Sequence, residues 1–297
     1  MLTPARTEDL HHAAESTAAG LPPLLVAAER VAATVSQGVH GRRRVGQGET
    51  FWQFRRYESG DSTQLIDWRQ SAKSDRVFVR ESEWEAAQSV WLWVDRSGSM
   101  DFRYDENLPP KGWRAKVLSM ALTSLLVRAG ERVSLMGSGM IPASGRRTFI
   151  RLVDMLERDA LPGQAAGLPG PELVPRFGRV VLFGDFLEPL TATRDAIARF
   201  ADHGVQGHLV QVLDPAEETL PFDGRIEFEG PEGEGRILIG RVENVRQAYR
   251  EELAHHQTGL DAVVGTFSWT ISRHSTHRPP EALLMALYLL LTEKPGR

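Results

Sequence analysis

The sequence contains no cysteine. This absence excludes disulfide bonds, thiol-based catalysis and cysteine zinc sites, and it suits a reducing compartment. The sequence also has no Gly-x-x-x-x-Gly-Lys-Ser/Thr motif and no His-Glu-x-x-His motif, so the usual signatures of a P-loop and of a zinc hydrolase are missing. Neither ATP binding by a P-loop nor a zinc site is therefore predicted.

Long apolar runs are also missing. The longest, at residues 282–291, has about half of the roughly 20 residues that a membrane-spanning helix needs. The first 16 residues are polar and include acidic groups, unlike a secretory signal. Lys and Arg number 35 and Asp and Glu 39, and the resulting net charge of −4 argues against a polybasic membrane binder or nucleic-acid coat. We expect a cytoplasmic protein without membrane insertion.

From residue 88 onward, short apolar runs alternate with helical patterns. This alternation predicts an α/β domain over residues 88–297, with a doubly wound, mostly parallel sheet covered by helices on both faces. Strands are predicted at residues 90–94, 132–136, 180–183, 207–213 and 266–271, with a hairpin at 225–229 and 236–239. Helices are predicted at residues 111–129, 148–157, 193–203 and 242–256, with a final apolar helix.

Residues 1–87 have a different character, with two helical stretches followed by sequence rich in Arg, Gly and aromatic residues. We interpret them as an accessory segment. Four of its residues mix apolar area with polar groups: Tyr57, Asp61, Asp67 and Trp68. The preferred interpretation is a buried junction that ties the segment to the sheet in one folded unit, and the alternative is a second interaction surface.

Acidic and hydroxyl side chains follow two of the predicted strands. Asp95, Ser97 and Ser99 come directly after the run at residues 90–94, and Asp185 follows the run at 180–183. Because open α/β folds bind ligands at the carboxyl ends of their strands, these groups are expected to meet at one edge. Carboxylate and hydroxyl oxygens suit Mg²⁺ or Mn²⁺. The alternative is that Asp95 and Ser97 only stabilise a turn.

Residues 95–100, with the sequence DRSGSM, resemble the metal-ion-dependent adhesion site (MIDAS) of von Willebrand factor A domains. The preceding sequence resembles the DUF58 family of bacterial proteins. The segments that carry this resemblance are RYESGD at 56–61, IDW at 66–68, SAK at 71–73 and VRE at 79–81. The resemblance implies a von Willebrand A-like fold with a divalent ion above the sheet. Such sites add a threonine from a loop before a helix, which would be Thr148, although a helix N-cap is an equal alternative for Thr148.

The leading hypothesis for function is a non-enzymatic, Mg²⁺-dependent module that binds another protein. Family resemblance implies that the partner is a MoxR-type AAA+ ATPase in a chaperone-like system. A metal-assisted phosphohydrolase is the alternative, although no general base is evident beside Asp95. A third possibility is a nucleic-acid binder that uses the arginine and aromatic residues between Arg42 and Arg56.

Overall fold

The computed structural model describes residues 23–39, 50–57, 66–73, 76–83, 87–158, 167–231, 233 and 235–292. The chain forms two compact units, one of Met1–Val39 with Gln88–Arg297 and the other of His40–Ala87. The strands are β1 (Thr50–Arg56), β2 (Phe78–Glu83), β3 (Ser89–Val94), β4 (Arg132–Leu135), β5 (Arg179–Gly184), β6 (Gln206–Leu213), β7 (Ile226–Glu229), β8 (Arg236–Ile239) and β9 (Thr270–Ser275). The helices are α1 (Pro23–Val39), α2 (Trp68–Ser71), α3 (Lys111–Arg128), α4 (Arg146–Glu157), α5 (Leu190–Ala201), α6 (Pro215–Thr219), α7 (Arg246–Thr266) and α8 (Glu281–Thr292), with 3₁₀ turns at Gly98–Asp101 and Val242–Asn244.

A five-stranded sheet forms the centre of the larger unit. Its order is β4-β3-β5-β6-β9, and all neighbouring strands are parallel. The connection from β3 leads to β4 on one side, whereas the connection from β5 leads to β6 on the other side. The direction of the connections therefore reverses between the neighbouring strands β3 and β5. Such a reversal is the point where open α/β sheets bind ligands, at the carboxyl ends of the strands.

Helices cover both faces of this sheet, as the sequence predicts. Alternate residues of β3 point to opposite faces because side chains along a strand have a period of two. Val90, Leu92 and Val94 join the core beneath α1, α3, α4 and α8. Trp91 and Trp93 join the core on the other face, with apolar residues of α5 and α7. Burial on both faces explains why β3 is a continuous apolar run.

The expected boundary at residue 87 needs a correction for α1. This helix belongs to the sheet unit and not to an accessory segment of residues 1–87. Its buried side chains are part of the core that also contains α3 and α8: Leu24, Leu25, Ala28, Val31, Ala32 and Val35. The backbone N–H of Leu24 also donates to Glu157 Oε1 on α4, at 2.8 Å. Apolar residues on one helical face allow α1 to complete the sheet unit across the intervening sequence.

The smaller unit, His40–Ala87, contains an antiparallel pair of strands, β1 and β2. A one-turn helix, α2, lies between them in sequence. Asp67 is its N-cap, and Asp67 Oδ1 accepts a hydrogen bond from the Gln70 N–H at 2.8 Å. Ser71 Oγ then accepts from the N–H of Phe78 at 2.9 Å, which ties the helix to the start of β2.

The preferred interpretation of a buried junction in this unit is wrong. Trp68 is 68% exposed and Tyr57 is 36% exposed, while Asp67 serves as a local cap. Asp61 lies outside the described residues. Residues 40–87 form a compact unit of their own, and the expectation that residues 56–68 share one folded unit with the sheet stays a prediction.

Near the C-terminal end, one predicted helix is too short and one predicted strand is shifted. The helix expected at residues 242–256 is α7, which extends to Thr266, and the strand expected at 266–271 is β9, at Thr270–Ser275. Glycine is common just after the end of a helix, but Gly259 lies inside α7. A Cβ at Gly259 would lie 2.3 Å from Leu190 Cδ1, so this glycine permits close contact between α7 and α5.

Candidate metal centre at the switch point of the sheet

The candidate site lies where β3 and β5 end side by side. Asp95 follows β3 and Asp185 follows β5. The backbone N–H of Asp95 donates to the carbonyl of Phe183 at 2.8 Å, which extends the parallel pairing to the edge of the site. Asp95 is fully buried and Asp185 is 4% exposed. Two carboxylates therefore lie at the topological switch point, with little contact with water.

A chain of hydrogen bonds joins four of the five residues predicted for this site. Asp95 Oδ1 accepts from the backbone N–H of Ser97 at 2.8 Å. The hydroxyls of Ser97 and Ser99 are 3.1 Å apart, and Ser99 Oγ donates to Asp185 Oδ2 at 2.7 Å. The structure thus brings together two carboxylates and two hydroxyls from segments that are about 90 residues apart in sequence.

The backbone beside these residues is closely packed. Gly184 precedes Asp185, and a Cβ at Gly184 would lie 3.2 Å from Asp95 Oδ2. Phe186 is fully buried with a positive φ of 50°, a conformation that costs a non-glycine residue free energy and persists only when its surroundings hold it. His256 and Gln211 provide such support: His256 Nε2 is 2.8 Å from the carbonyl oxygen of Phe186, and Gln211 Nε2 donates to the carbonyl of Asp185 at 2.9 Å.

Thr148, the fifth predicted ligand, does not join this chain of hydrogen bonds. Its helix, α4, begins at Arg146 and not at Thr148, and its N-cap is Gly145 with φ of 94°. Thr148 therefore lies inside the first turn, where its hydroxyl donates to the carbonyl of Ser144 at 3.0 Å. Among the described residues, no hydrogen bond connects Thr148 to the other four. The N-cap alternative is wrong, because Gly145 is the N-cap, and the role of Thr148 as a metal ligand stays a prediction.

Lys111 is a part of the site that sequence reasoning missed. It is the first residue of α3 and its side chain is fully buried. Its ammonium donates to Asp185 Oδ2 at 2.9 Å and to Glu217 Oε1 at 2.5 Å. Burial alone lowers the pKa of Lys111, but attraction to Asp185 and Glu217 outweighs it, so its pKa is raised and it is positively charged. No local pattern marks this lysine, because its partners lie far away in the sequence.

Glu217 connects the end of β6 to the same network. It belongs to α6, where Asp214 and Glu217 form a capping box: Asp214 Oδ1 accepts from the N–H of Ala216, and Glu217 Oε2 accepts from the N–H of Asp214. Burial raises the pKa of Glu217, and Lys111 opposes this effect. The sequence DPAEE contains this capping pattern, so the capping box could have been predicted from sequence, but its contact with Lys111 could not.

The hairpin of β7 and β8 lies against the loop that carries the serines. A Cβ at Gly98 would lie 2.8 Å from the carbonyl oxygen of Pro231, which follows β7. The base of the hairpin rests on aromatic contacts, since Phe222 lies 5.1 Å from Tyr104 and 5.4 Å from Phe228 between ring centroids. One side of the candidate site is therefore bordered by a segment that a plain doubly wound fold does not require.

The donor set fits a hard divalent cation. Asp95, Ser97, Ser99 and Asp185 offer oxygen atoms alone, which Mg²⁺ and Mn²⁺ prefer. The described residues contain no group of three or more His, Cys, Asp or Glu placed to hold an ion. An ion here would therefore depend on serine hydroxyls and water in addition to carboxylates, a composition that favours weak binding.

Comparison with known proteins identifies the family. Residues 53–259, more than two thirds of the chain, match the family described as "Protein of unknown function DUF58". The chain belongs to the DUF58 family. It is 29% identical over 205 residues to uncharacterized proteins of Mycobacterium tuberculosis and Mycobacterium bovis, covering 63% of this chain and 62% of each relative. This DUF58 chain thus spans about three fifths of the length of those curated relatives.

Solved structures with a similar architecture include von Willebrand A (VWA) domains. BatB from Bacteroides thetaiotaomicron has 16% identity and a TM-score of 0.39, covering 69% of this chain and 98% of BatB. The VWA domain of SpRpn10 has 10% identity and a TM-score of 0.34, covering 68% and 95%. These low values carry no argument about what this protein binds. The five parallel strands and the helices on both faces form a von Willebrand A-like fold, which confirms the fold class expected from the sequence.

The expectation of a cytoplasmic location is contradicted by this comparison. An aerotolerance-related membrane protein from Bacteroides fragilis has 15% identity and a TM-score of 0.37, covering 67% of this chain and 96% of that one. A further similar structure, with a TM-score of 0.17, is named a membrane-spanning protein from Vibrio fischeri. Among the residues that the structure describes, no helix is both long and apolar enough to cross a membrane.

Proposed function

We propose that this DUF58 protein is a protein-interaction module whose contact with its partner depends on a divalent cation. In this proposal Asp95, Ser97 and Ser99 hold Mg²⁺ or Mn²⁺, and Asp185 contributes directly or through water. A carboxylate of the partner takes an open position on the ion. The bound ion supplies a positive charge that bridges two acidic groups, and the chain itself performs no catalysis.

The hydrogen bond from Ser99 Oγ to Asp185 Oδ2, 2.7 Å long, is the observation that carries this proposal. It joins the loop after β3 to the end of β5 at the topological switch point, so oxygen atoms from two strands converge on one small volume. An isolated turn stabilised by Asp95 and Ser97 would not require a carboxylate from a second strand. Convergence of oxygen groups from distant segments favours an ion site over a simple turn.

Exposed apolar side chains on the loops at the same edge also support a protein partner. Phe102 follows the 3₁₀ turn after β3 and is 37% exposed, while Leu187, two residues after Asp185, is 40% exposed. Ile141, in the loop after β4, is 85% exposed. A partner bound at this edge would bury these side chains, and the buried core of a protein interface is more apolar than its rim.

We further propose that the partner is a MoxR-type AAA+ ATPase. The support for this step is the association of DUF58 proteins with such ATPases, and no residue described above distinguishes this partner from another acidic one. The proposed contact requires an exposed Asp or Glu on the ATPase that reaches the ion. Capture of the ATPase should therefore depend on both the divalent cation and the Asp95 carboxylate.

Two measurements on the full chain test the proposal. Thermal melting is followed across a Mg²⁺ titration, because a ligand that binds only the folded state stabilises it by about 1.4 kcal/mol at ten times Kd. Capture of the MoxR-type ATPase from the same organism is then compared in Mg²⁺ and in EDTA. Asp95→Asn and Ser99→Ala should lose both responses. Asp195→Asn, which removes a carboxylate exposed on α5, should retain both.

A response of the melting temperature to Mg²⁺ that is equal in wild type and in Asp95→Asn would overturn the metal site. Retained capture in EDTA would overturn the metal bridge while leaving an interaction module. Steady hydrolysis of a phosphoester by purified protein, abolished by Asp95→Asn, would favour the phosphohydrolase alternative.

A further inference from the structure

The ammonium of Lys111 occupies a specific place beside the candidate metal centre. Its side chain is fully buried, and the ammonium donates to Asp185 Oδ2 and Glu217 Oε1 at 2.9 and 2.5 Å. Asp185 Oδ2 also accepts the Ser99 hydroxyl at 2.7 Å. One carboxylate oxygen thus receives hydrogen bonds both from a proposed ion ligand and from a fixed cation.

The position of Lys111 in the fold is energetically unfavourable for a charged side chain. It is the first residue of α3, where the positive end of the helix dipole disfavours a cation. Complete burial adds the cost of removing an ammonium from water. Both costs are offset only because two carboxylates receive the charge.

A divalent ion and this ammonium would compete for the same carboxylate. An ion bound directly to Oδ2 of Asp185 would lie about 2.1 Å from that oxygen. The ammonium lies 2.9 Å from the same oxygen, so the ion and the ammonium would then be separated by about 5 Å or less. At that distance, in a buried environment, a double and a single positive charge repel each other strongly. The ammonium therefore stabilises the metal-free site and weakens the binding of the ion.

Glu217 gives Lys111 a second partner when the ion binds. Its carboxylate is fixed by the capping box with Asp214, independently of Asp185. The ammonium can remain paired with Glu217 while Asp185 turns to the ion. The site then has two arrangements, one with the ammonium on Asp185 and one with a divalent ion on Asp185.

We propose that Lys111 is a built-in competitor of the divalent cation, and that it sets the metal affinity of this centre low enough for the ion to bind stably only together with the partner's carboxylate. This inference rests on the proposed function, because it concerns the same ion. It assigns to Lys111 a regulatory role that Asp95, Ser97 and Ser99 do not have.

The test compares the affinity for Mn²⁺ in wild type and in Lys111→Met, measured by electron paramagnetic resonance of the free ion. Methionine is similar in length to lysine and carries no charge. Loss of the ammonium should raise the affinity for Mn²⁺ by about tenfold or more. Mn²⁺ should also raise the melting temperature of Lys111→Met more than that of wild type, because the ion replaces the lost positive charge.

Arg179→Met is the matched control. Arg179 is half-buried and begins β5, so it lies at the opposite end of the strand from Asp185, and its guanidinium donates to the carbonyls of Leu290 and Leu291. The substitution removes one positive charge from the same sheet. It should leave the affinity for Mn²⁺ within about twofold of wild type, since solvent and salt screen the interaction between charges at opposite ends of a strand.

Lys111→Met leaves Glu217 buried without its cation and can lose stability. The double variant Lys111→Met with Glu217→Gln removes both charges and should fold, and it should show a smaller rise in affinity, because the Glu217 carboxylate also attracts the ion. Equal affinity in wild type and in the folded variants would overturn the role of Lys111 while leaving the proposed metal site intact. Binding in the variants with none in wild type, even when the partner is present, would support the competition and overturn the proposed function.

Discussion

Gly98 and Pro231 are in direct contact, although 133 positions separate them in the chain. A Cβ at Gly98 would lie 2.8 Å from the carbonyl oxygen of Pro231 and 3.4 Å from its carbonyl carbon. The backbone of the loop that carries Ser97 and Ser99 thus touches the turn that follows β7. Glycine is required at residue 98 because any larger residue would displace one of these two backbones.

Gly98→Ala should therefore loosen the β7–β8 hairpin. Overpacking of this kind costs about 1 to 3 kcal/mol, and the least constrained response is movement of the hairpin, whose Ile237 and Leu238 are exposed. Hydrogen exchange should become faster in β7 and β8 and stay unchanged in β3 and β5.

Gly240→Ala is the control for this experiment, because a Cβ at Gly240 would have no neighbour within 4 Å. It should leave hydrogen exchange in the hairpin unchanged. Unaltered exchange in Gly98→Ala as well would show that the contact between Gly98 and Pro231 does not hold the hairpin in place.

Removal of residues 40–87 should be tolerated if α1 remains attached. We expect a chain in which a Gly/Ser linker replaces these residues to fold, and a fragment that begins at Gln88 to aggregate. Burial of each Leu or Val side chain contributes about 1.5 to 3 kcal/mol, so the loss of Leu24, Leu25 and Val35 removes much of a typical domain's stability. Circular dichroism and thermal melting of both proteins provide the measurement.

Linkers of about 10 and about 20 residues should be compared, since flexible linkers differ in reach. A fragment from Gln88 that melts cooperatively at the temperature of the full chain would contradict the role of α1. Failure of both linker variants to fold would indicate that the smaller unit is needed by the sheet.

Trp68→Ala should have little effect on stability. An indole that is 68% exposed contributes little buried area, and surface substitutions of this kind usually change the free energy of unfolding by no more than about 0.5 kcal/mol. Thermal melting of the purified variant is the check, and Trp93→Ala, which removes a fully buried indole, is the positive control. A drop in stability comparable to that of Trp93→Ala would contradict this prediction and support the interpretation of Trp68 as part of a buried junction.

Two buried histidines should make stability fall as the pH is lowered from 6.5 to 4. Burial lowers the pKa of His208 to about 4, and burial together with Arg114, Arg278 and His277 lowers that of His274 to about 4. Between these pH values the unfolded chain binds protons that the folded chain does not, so folding is disfavoured. The slope is about 1.4 kcal/mol per pH unit for each histidine.

Urea unfolding at several pH values measures this slope. His208→Gln should lower it by about half, since one of the two sites is removed. His203→Gln, at an exposed histidine, is the control. A free energy of unfolding that stays constant from pH 7 to pH 4 in wild type would contradict the prediction.

The main features of the sheet could be predicted because they depend on local sequence. The run from Val90 to Val94 and the run from Val180 to Phe183 can be covered on both faces only in the interior of a parallel sheet. Once those strands are adjacent, the meeting of Asp95 with Asp185 follows from the geometry of parallel strands. Four of the five predicted site residues are joined in the structure for this reason.

The start of one helix, the exposure of Trp68 and the role of Lys111 were not predicted, because each depends on contacts that exist only in the folded chain. Thr148 is not the N-cap of its helix, because Gly145, with a positive φ, starts that helix two residues earlier than expected. Trp68 has the size of a core residue, yet its burial depends on what packs nearby. Lys111 gives no local signal, because its role depends on Asp185 and Glu217, which are 74 and 106 positions away.

The contact of α1 with α8 has a consequence for folding during synthesis. These helices are the first and last in the described part of the chain, and both belong to the core beneath α3. At about 5 to 20 residues per second, the ribosome needs roughly 13 to 50 seconds to add the roughly 250 residues between them. The neighbours of α1 on α3 and α4 are made earlier, but throughout that interval α1 lacks its contact with α8, so part of its apolar face stays open to a chaperone.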